Sequence, residues 1–330
     1  MLDATVADQM ARVQRHRGMS VWPVLLVAAV LLLAATVPVR SVPLSLEVRA
    51  SAITFGLADE STLEPQSVDG ELRIEGFTSL ESADATLVAA AAQERADRIS
   101  IRAAEARLRS LDIPAGTQLT IRGRLDSTEL QVESVRSPVV AEVEVRGNTT
   151  LRMGDGVPTP VRAFPHGEWI RLNVGDAAHP ERVPPPMLVS LSRGNDSAPQ
   201  FSGLRPATLR FAERRAGAEA VAIVDSSIAG GTLTLPATSD QLTLSAGDWL
   251  EFDGLVVERC EIVAGVPVTL KLNGSARSAR MRVGDFERSL KPSILEYVSR
   301  HHLVSLLWGS AAVLWGALAW IRKQFAWATL

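Results

Sequence analysis

Between residues 40 and 290 apolar and polar positions alternate with a period of two. Examples are Leu44-Ser45-Leu46-Glu47-Val48-Arg49, Leu119-Thr120-Ile121-Arg122, Ala141-Glu142-Val143-Glu144-Val145-Arg146 and Val268-Thr269-Leu270-Lys271-Leu272. Successive side chains of an extended strand point to opposite faces, so this pattern marks strands with one buried and one wet face. Asp69-Gly70, Asp155-Gly156, Asp253-Gly254 and Asn273-Gly274 read as turns between such runs. Short strands with frequent turns predict antiparallel β architecture of sandwich or barrel type. Ala83 to Leu111 departs from the pattern. Its Ala, Arg and Glu content predicts a helix, with Ile99-Ser100-Ile101-Arg102 as a competing strand signal.

Both ends of the chain change character. Val21 to Val39 and Leu303 to Ile321 carry no charge, and at 1.5 Å per residue each would cover about 28 Å, close to a hydrocarbon core. They are expected to be transmembrane helices, with Trp22, Trp320 and Trp327 at the membrane interface. A cleaved signal peptide is the competing reading of the first run. Its length and the poor Ala34-Ala35-Thr36 cleavage site favour an anchor. Arg12, Arg15 and Arg17 on the first tail and Arg322 and Lys323 on the last place both termini in the cytoplasm by the positive-inside rule. The expected fold class is therefore a mainly β extracytoplasmic domain, or domains, tethered to the inner membrane by two transmembrane α-helices.

The resulting division gives a cytoplasmic tail 1–20, a first membrane helix 21–39 and a β-rich domain 40–150. A proline-rich loop or linker, 151–186, precedes a second β-rich domain, 187–290. A juxtamembrane helix 291–302, a second membrane helix 303–321 and a tail 322–330 follow. Pro184-Pro185-Pro186 cannot donate ladder hydrogen bonds, which argues for the linker, with Gly167 to Val174 as a strand inside it. Leu119 to Ser134 aligns without gaps to Leu270 to Asp285, each after an Ala-Gly pair, so a duplicated β-domain is one hypothesis. In the second apolar run Ser305, Gly309, Ala312, Gly316 and Ala319 fall on one helix face, which would let another helix approach closely in lipid.

Composition narrows the function classes. With 34 basic and 37 acidic residues the net charge is −3, so a general nucleic-acid binder is not expected. A single cysteine, Cys260, rules out an intramolecular disulfide and a Cys-cluster metal site; in a strand-like run it reads as a buried, inert thiol. The histidines His16, His166, His179, His301 and His302 show no metal-ligand spacing beyond one adjacent pair. His166 with Glu168, or Asp176 with His179, could be drawn as acid–base pairs, but both stand in the proline-rich stretch, where polar residues are ordinary. No phosphate-binding glycine loop or nucleophile elbow appears. Neither apolar run carries a charge, which argues against a transport pathway. No catalytic, cofactor or metal residue is assigned, and no enzyme is expected. The expected function is a non-catalytic accessory or scaffold subunit of a membrane complex, its partners the bilayer and other integral membrane proteins, in a hetero-complex or a homo-oligomer. A lipid- or glycan-handling protein is the first alternative and a membrane-anchored hydrolase the second.

Overall fold

A computed structural model describes residues 40–94, 96–134, 138–156, 159, 161–175, 183–192, 198–216, 222–284, 286–294, 309, 315 and 316. The chain divides into two units, Ser41–Leu290 and a second composed of Met1–Arg40 with Lys291–Leu330.

The first unit opens with β1 (Val42–Ala50), β2 (Ala52–Leu57), β3 (Ser61–Leu63), β4 (Gln66–Val68), β5 (Glu71–Glu75) and β6 (Ser79–Ser82). Helix α1 (Ala85–Glu94) precedes the long strand β7 (Arg98–Ile113), then β8 (Gln118–Gly123), β9 (Ser127–Glu133) and β10 (Val139–Met153). Next come β11 (Arg162–Val174), β12 (Met187–Ser192), β13 (Gln200–Ser202), β14 (Pro206–Arg210), β15 (Ala212–Ala216) and β16 (Ala222–Ser226). The unit closes with β17 (Ile228–Leu235), β18 (Asp240–Ser245), β19 (Trp249–Val263), β20 (Val268–Val283) and β21 (Phe286–Ser289). Along β1 the side chains of Val42, Leu44, Leu46, Val48 and Ala50 are buried and those between them exposed, which shows why these sequences extend: every second side chain enters the core.

Apart from the hairpin β15–β16, all strands join one antiparallel sheet of 19 strands. Its ladder can be followed from β6 through β11, β10, β7 and β5 to β12, β9, β8 and β2. From β2 it continues through β14, β19, β20 and β1 to β17 and β18. So β1 lies between strands from the end of the unit, while β12 lies between β5 and β9. The segments 40–150 and 187–290 exchange strands in this way, and β2 bridges them, with β8 on one side and β14 on the other. A sheet this wide buries one face only by folding back on itself. Register shifts at Arg146/Thr149 in β10 and Val257/Arg259 in β19 interrupt the long ladders, as bulges that bend a strand do. The inward side chains form one continuous apolar core.

Several expectations are corrected. The fold class is mainly antiparallel β, but no helix among the described residues is long and apolar enough to cross a membrane. The one full helix described, α1, has ten residues, about 15 Å or half a hydrocarbon core. The two transmembrane helices are therefore not part of the fold established here. Residues 21–39, with Trp22, lie outside the described residues, as do all of 303–321 except 309, 315 and 316, and Trp327. Asp253-Gly254 and Asn273-Gly274 are not turns but lie inside β19 and β20. Val257 pairs with Gly274 next to the register shift, and a Cβ at Gly274 would stand 2.3 Å from the Val256 carbonyl oxygen. Glycine is needed there for close backbone approach rather than for reversal. The duplication is not supported either: Leu119–Ser134 is the hairpin β8–β9, whereas Leu270–Val283 is one uninterrupted strand. The expected strand in the proline-rich stretch is present and longer, beginning at Arg162. Of the expected juxtamembrane helix 291–302, Lys291, Pro292 and Ser293 are not helical, Ile294 is, and 295–302 lie outside the described residues.

The stretch Ala83 to Leu111, expected to be a helix, is helical only over Ala85–Glu94, and from Arg98 it is strand β7, as the competing signal at Ile99-Ser100-Ile101-Arg102 indicated. Helix α1 starts because Asp84 caps it: its Oδ1 accepts from the Thr86 N–H at 2.9 Å and the Thr86 hydroxyl at 2.6 Å. These bonds, chiefly that from the Thr86 hydroxyl, hold the Asp84 carboxyl below its ordinary pKa, and Arg162 adds to the effect. Leu87 and Ala91, one turn apart, anchor the helix to the core.

Candidate functional site

The residues singled out as possible chemistry are occupied structurally or lie elsewhere. Glu168 is held at the start of α1, where its Oε1 accepts from the Ser82 hydroxyl (2.7 Å) and the N–H groups of Ala83 (3.0 Å) and Asp84 (3.3 Å). That is the work of a helix-terminus acceptor, and His166 is exposed beside it. Asp176, His179, His301 and His302 lie outside the described residues. Among the described residues no group of three His, Cys, Asp or Glu side chains could hold a metal. Cys260 is 4% exposed; burial, with Glu261 adding to it, pushes its thiol up to about 12. Because the thiolate is the reactive form, Cys260 in the native chain should resist iodoacetamide at neutral pH and react fully once the chain is unfolded, as read by intact mass.

Of the small-residue face, Gly309 and Gly316 are helical and exposed, and a Cβ built at either meets nothing within 4 Å. Ser305, Ala312, Ala319 and Trp320 lie outside the described residues.

The described residues instead bring together a polar groove over the strands that join the two segments. Its floor follows from the register. Gln131 pairs with Thr120, Thr120 with Thr54, Thr54 with Arg210, and Arg210 with Glu251. This one row crosses five strands, about 19 Å at the usual strand spacing. Thr54, Thr120 and Ala212 are short, while Gln118, Arg122 and Trp249 are long, and the difference in height makes a cleft of ≈ 490 Å³.

The polar groups of the groove are linked into short networks. The Thr54 and Thr120 hydroxyls are 3.0 Å apart. Arg122 Nη1 donates to Gln131 Oε1 (2.8 Å), and Gln131 Nε2 donates to Glu133 Oε1 (2.6 Å). Arg210 Nε donates to Glu251 Oε1 (2.6 Å). Trp249 closes one end, with the Arg282 guanidinium 5.4 Å from its ring centroid, inside cation–π range. Its indole N–H and the Nε of Arg122 are covered and have no hydrogen-bond partner among the described residues. A second cleft, ≈ 510 Å³, lies between α1 and β6 and is lined largely by apolar residues, including Phe77, Leu80, Val88 and Ala91.

The sequence held one signal for the groove, the polar alternate positions of β2, β8 and β9. It gave no means of knowing that β14 and β19, which begin only at Pro206 and Trp249, continue the same surface. The chain matches no known family model and no curated protein.

Proposed function

We propose that this chain is a non-catalytic accessory or scaffold subunit of a membrane-associated complex, with the β-rich unit as its interaction domain. The observation that carries the reading is the outer edge of β21. All four of its residues are exposed, and among the described residues the strand pairs only with β20. Phe286, 84% exposed, stands opposite Val283, 49% exposed. An outward strand edge is a template for another strand, and Phe286 is the one apolar side chain that β21 offers to it. The uncharged apolar runs of the sequence support a place at a membrane. A lipid carrier calls for an enclosed apolar cavity, and the clefts described above supply none in support.

The full chain purified gently from its native host should retain a protein in fixed ratio, a second copy of itself or another membrane protein. Phe286→Asp should lose that protein at an unchanged melting temperature. A wild-type chain that purifies alone and monomeric would refute the proposal.

A further inference from the structure

We propose that the groove over β9, β8, β2, β14 and β19 binds a neutral oligosaccharide. Its shape is the first argument. The row from Gln131 to Glu251 is continuous across five strands and about 19 Å long. That suits an extended chain of linked rings better than a compact metabolite.

Its chemistry is the second argument. A sugar presents vicinal hydroxyls, each able to donate and accept. They are matched by planar groups with two polar atoms side by side, which Gln131, Glu133, Arg122 and Glu251 supply. Sugars also present a patch of C–H bonds, which lies well on an aromatic face such as that of Trp249. The indole N–H and Arg122 Nε are donors without partners, and a hydroxyl oxygen could accept from either. Leaving a covered donor unmet is unfavourable, so a ligand supplying the acceptor would bind with that advantage.

Charge is the third argument and selects a neutral ligand. Arg210 is paired with Glu251, and Arg122 is joined through Gln131 to Glu133. Two cations are thus offset by two anions along the floor, and only Arg282, stacked on Trp249 at one end, stands beyond that balance, so the floor itself offers little field to attract a phosphate, a uronic acid or a basic peptide.

The test is calorimetric titration of the full-length chain, free of glycosidic detergent, with cellohexaose, chitohexaose and maltohexaose. An oligogalacturonate of equal length serves as the acidic comparison. At least one neutral hexasaccharide should bind, with an affinity insensitive to salt. Trp249→Ala and Gln131→Ala should each weaken it about tenfold or more. Thr120→Arg, which fills the floor from the solvent side, should abolish it without changing the melting temperature. If Trp249→Ala fails to fold, the other two variants still decide. The proposal is overturned if none of the three neutral sugars binds, or if the acidic one binds more tightly and salt weakens it. Unchanged affinity in Gln131→Ala and Thr120→Arg would overturn it equally.

Discussion

Phe252→Ala is expected to destabilise the β-rich unit by about 4 kcal/mol, as large-to-small aromatic changes in cores do. Phe252 is fully buried on β19. On the inner face of the sheet it continues a row in which Leu119 pairs with Phe55, Phe55 with Leu209, Leu209 with Phe252, and Phe252 with Ala279. This apolar row lies one residue away from the polar row of the groove, so the same strands are held together from beneath and present the site above. Alanine would remove most of a phenyl ring from a position whose neighbours are fixed by backbone pairing on both sides and cannot close the void. For a unit of this size the loss corresponds to a fall in melting temperature of roughly 10 °C. Phe252→Leu, which refills most of the volume, should cost only about 1 kcal/mol. Thermal unfolding followed by near-ultraviolet circular dichroism would measure both. Equal losses in the two variants would mean that the ring's volume is not what matters.

Gly76→Ala should cost about 3 kcal/mol through two separate effects. Gly76 has φ +85°, where a side chain costs roughly 1–2 kcal/mol. A Cβ there would also stand 2.1 Å from the Pro186 carbonyl oxygen. That obstacle is backbone and cannot swing aside, so β5 and β12 would have to separate where Glu75 pairs with Leu188. Gly203 provides the control. Its φ is similar, +75°, but a Cβ there meets nothing within 4 Å. Gly203→Ala should therefore show only the conformational part. The difference between the two variants in denaturant unfolding measures the collision, and equal values would show that the strands can give way at Pro186.

What the sequence disclosed follows the range of the interaction concerned. Period-two alternation is local, and it identified strands throughout 40–290, including β1, β8 and β20. Helix α1 was visible only inside a longer expected helix, since the Ala content of Ala83 to Leu111 is a local signal whereas the pairing that makes its second half strand β7 is not. The turns at Asp253-Gly254 and Asn273-Gly274 were misread because glycine serves close approach as well as reversal. Only the partner strand decides between them, and Gly274 meets Val256 and Val257 of β19. The groove was illegible for the same reason, since Thr54, Thr120 and Arg210 become neighbours only through ladders between distant segments. The expectation of two spanning helices rested on hydropathy alone, and no described helix is of a kind to bear it out.

One detail of β20 bears on how the β-rich unit could be handled. On the same side of that strand, Leu290 donates its N–H to the Ala279 carbonyl at 2.9 Å, and Val42 pairs with Ala276. The strand that ends the unit and the strand that begins it run in one line and in one direction, about 10 Å apart by strand rise. A linker of a few residues from Leu290 to Val42 would close the unit into a ring, and new termini could be cut at an exposed turn such as Asp69-Gly70. Circular permutants of this kind should fold, so the unit can be spliced into a loop of a host protein as readily as fused to its end.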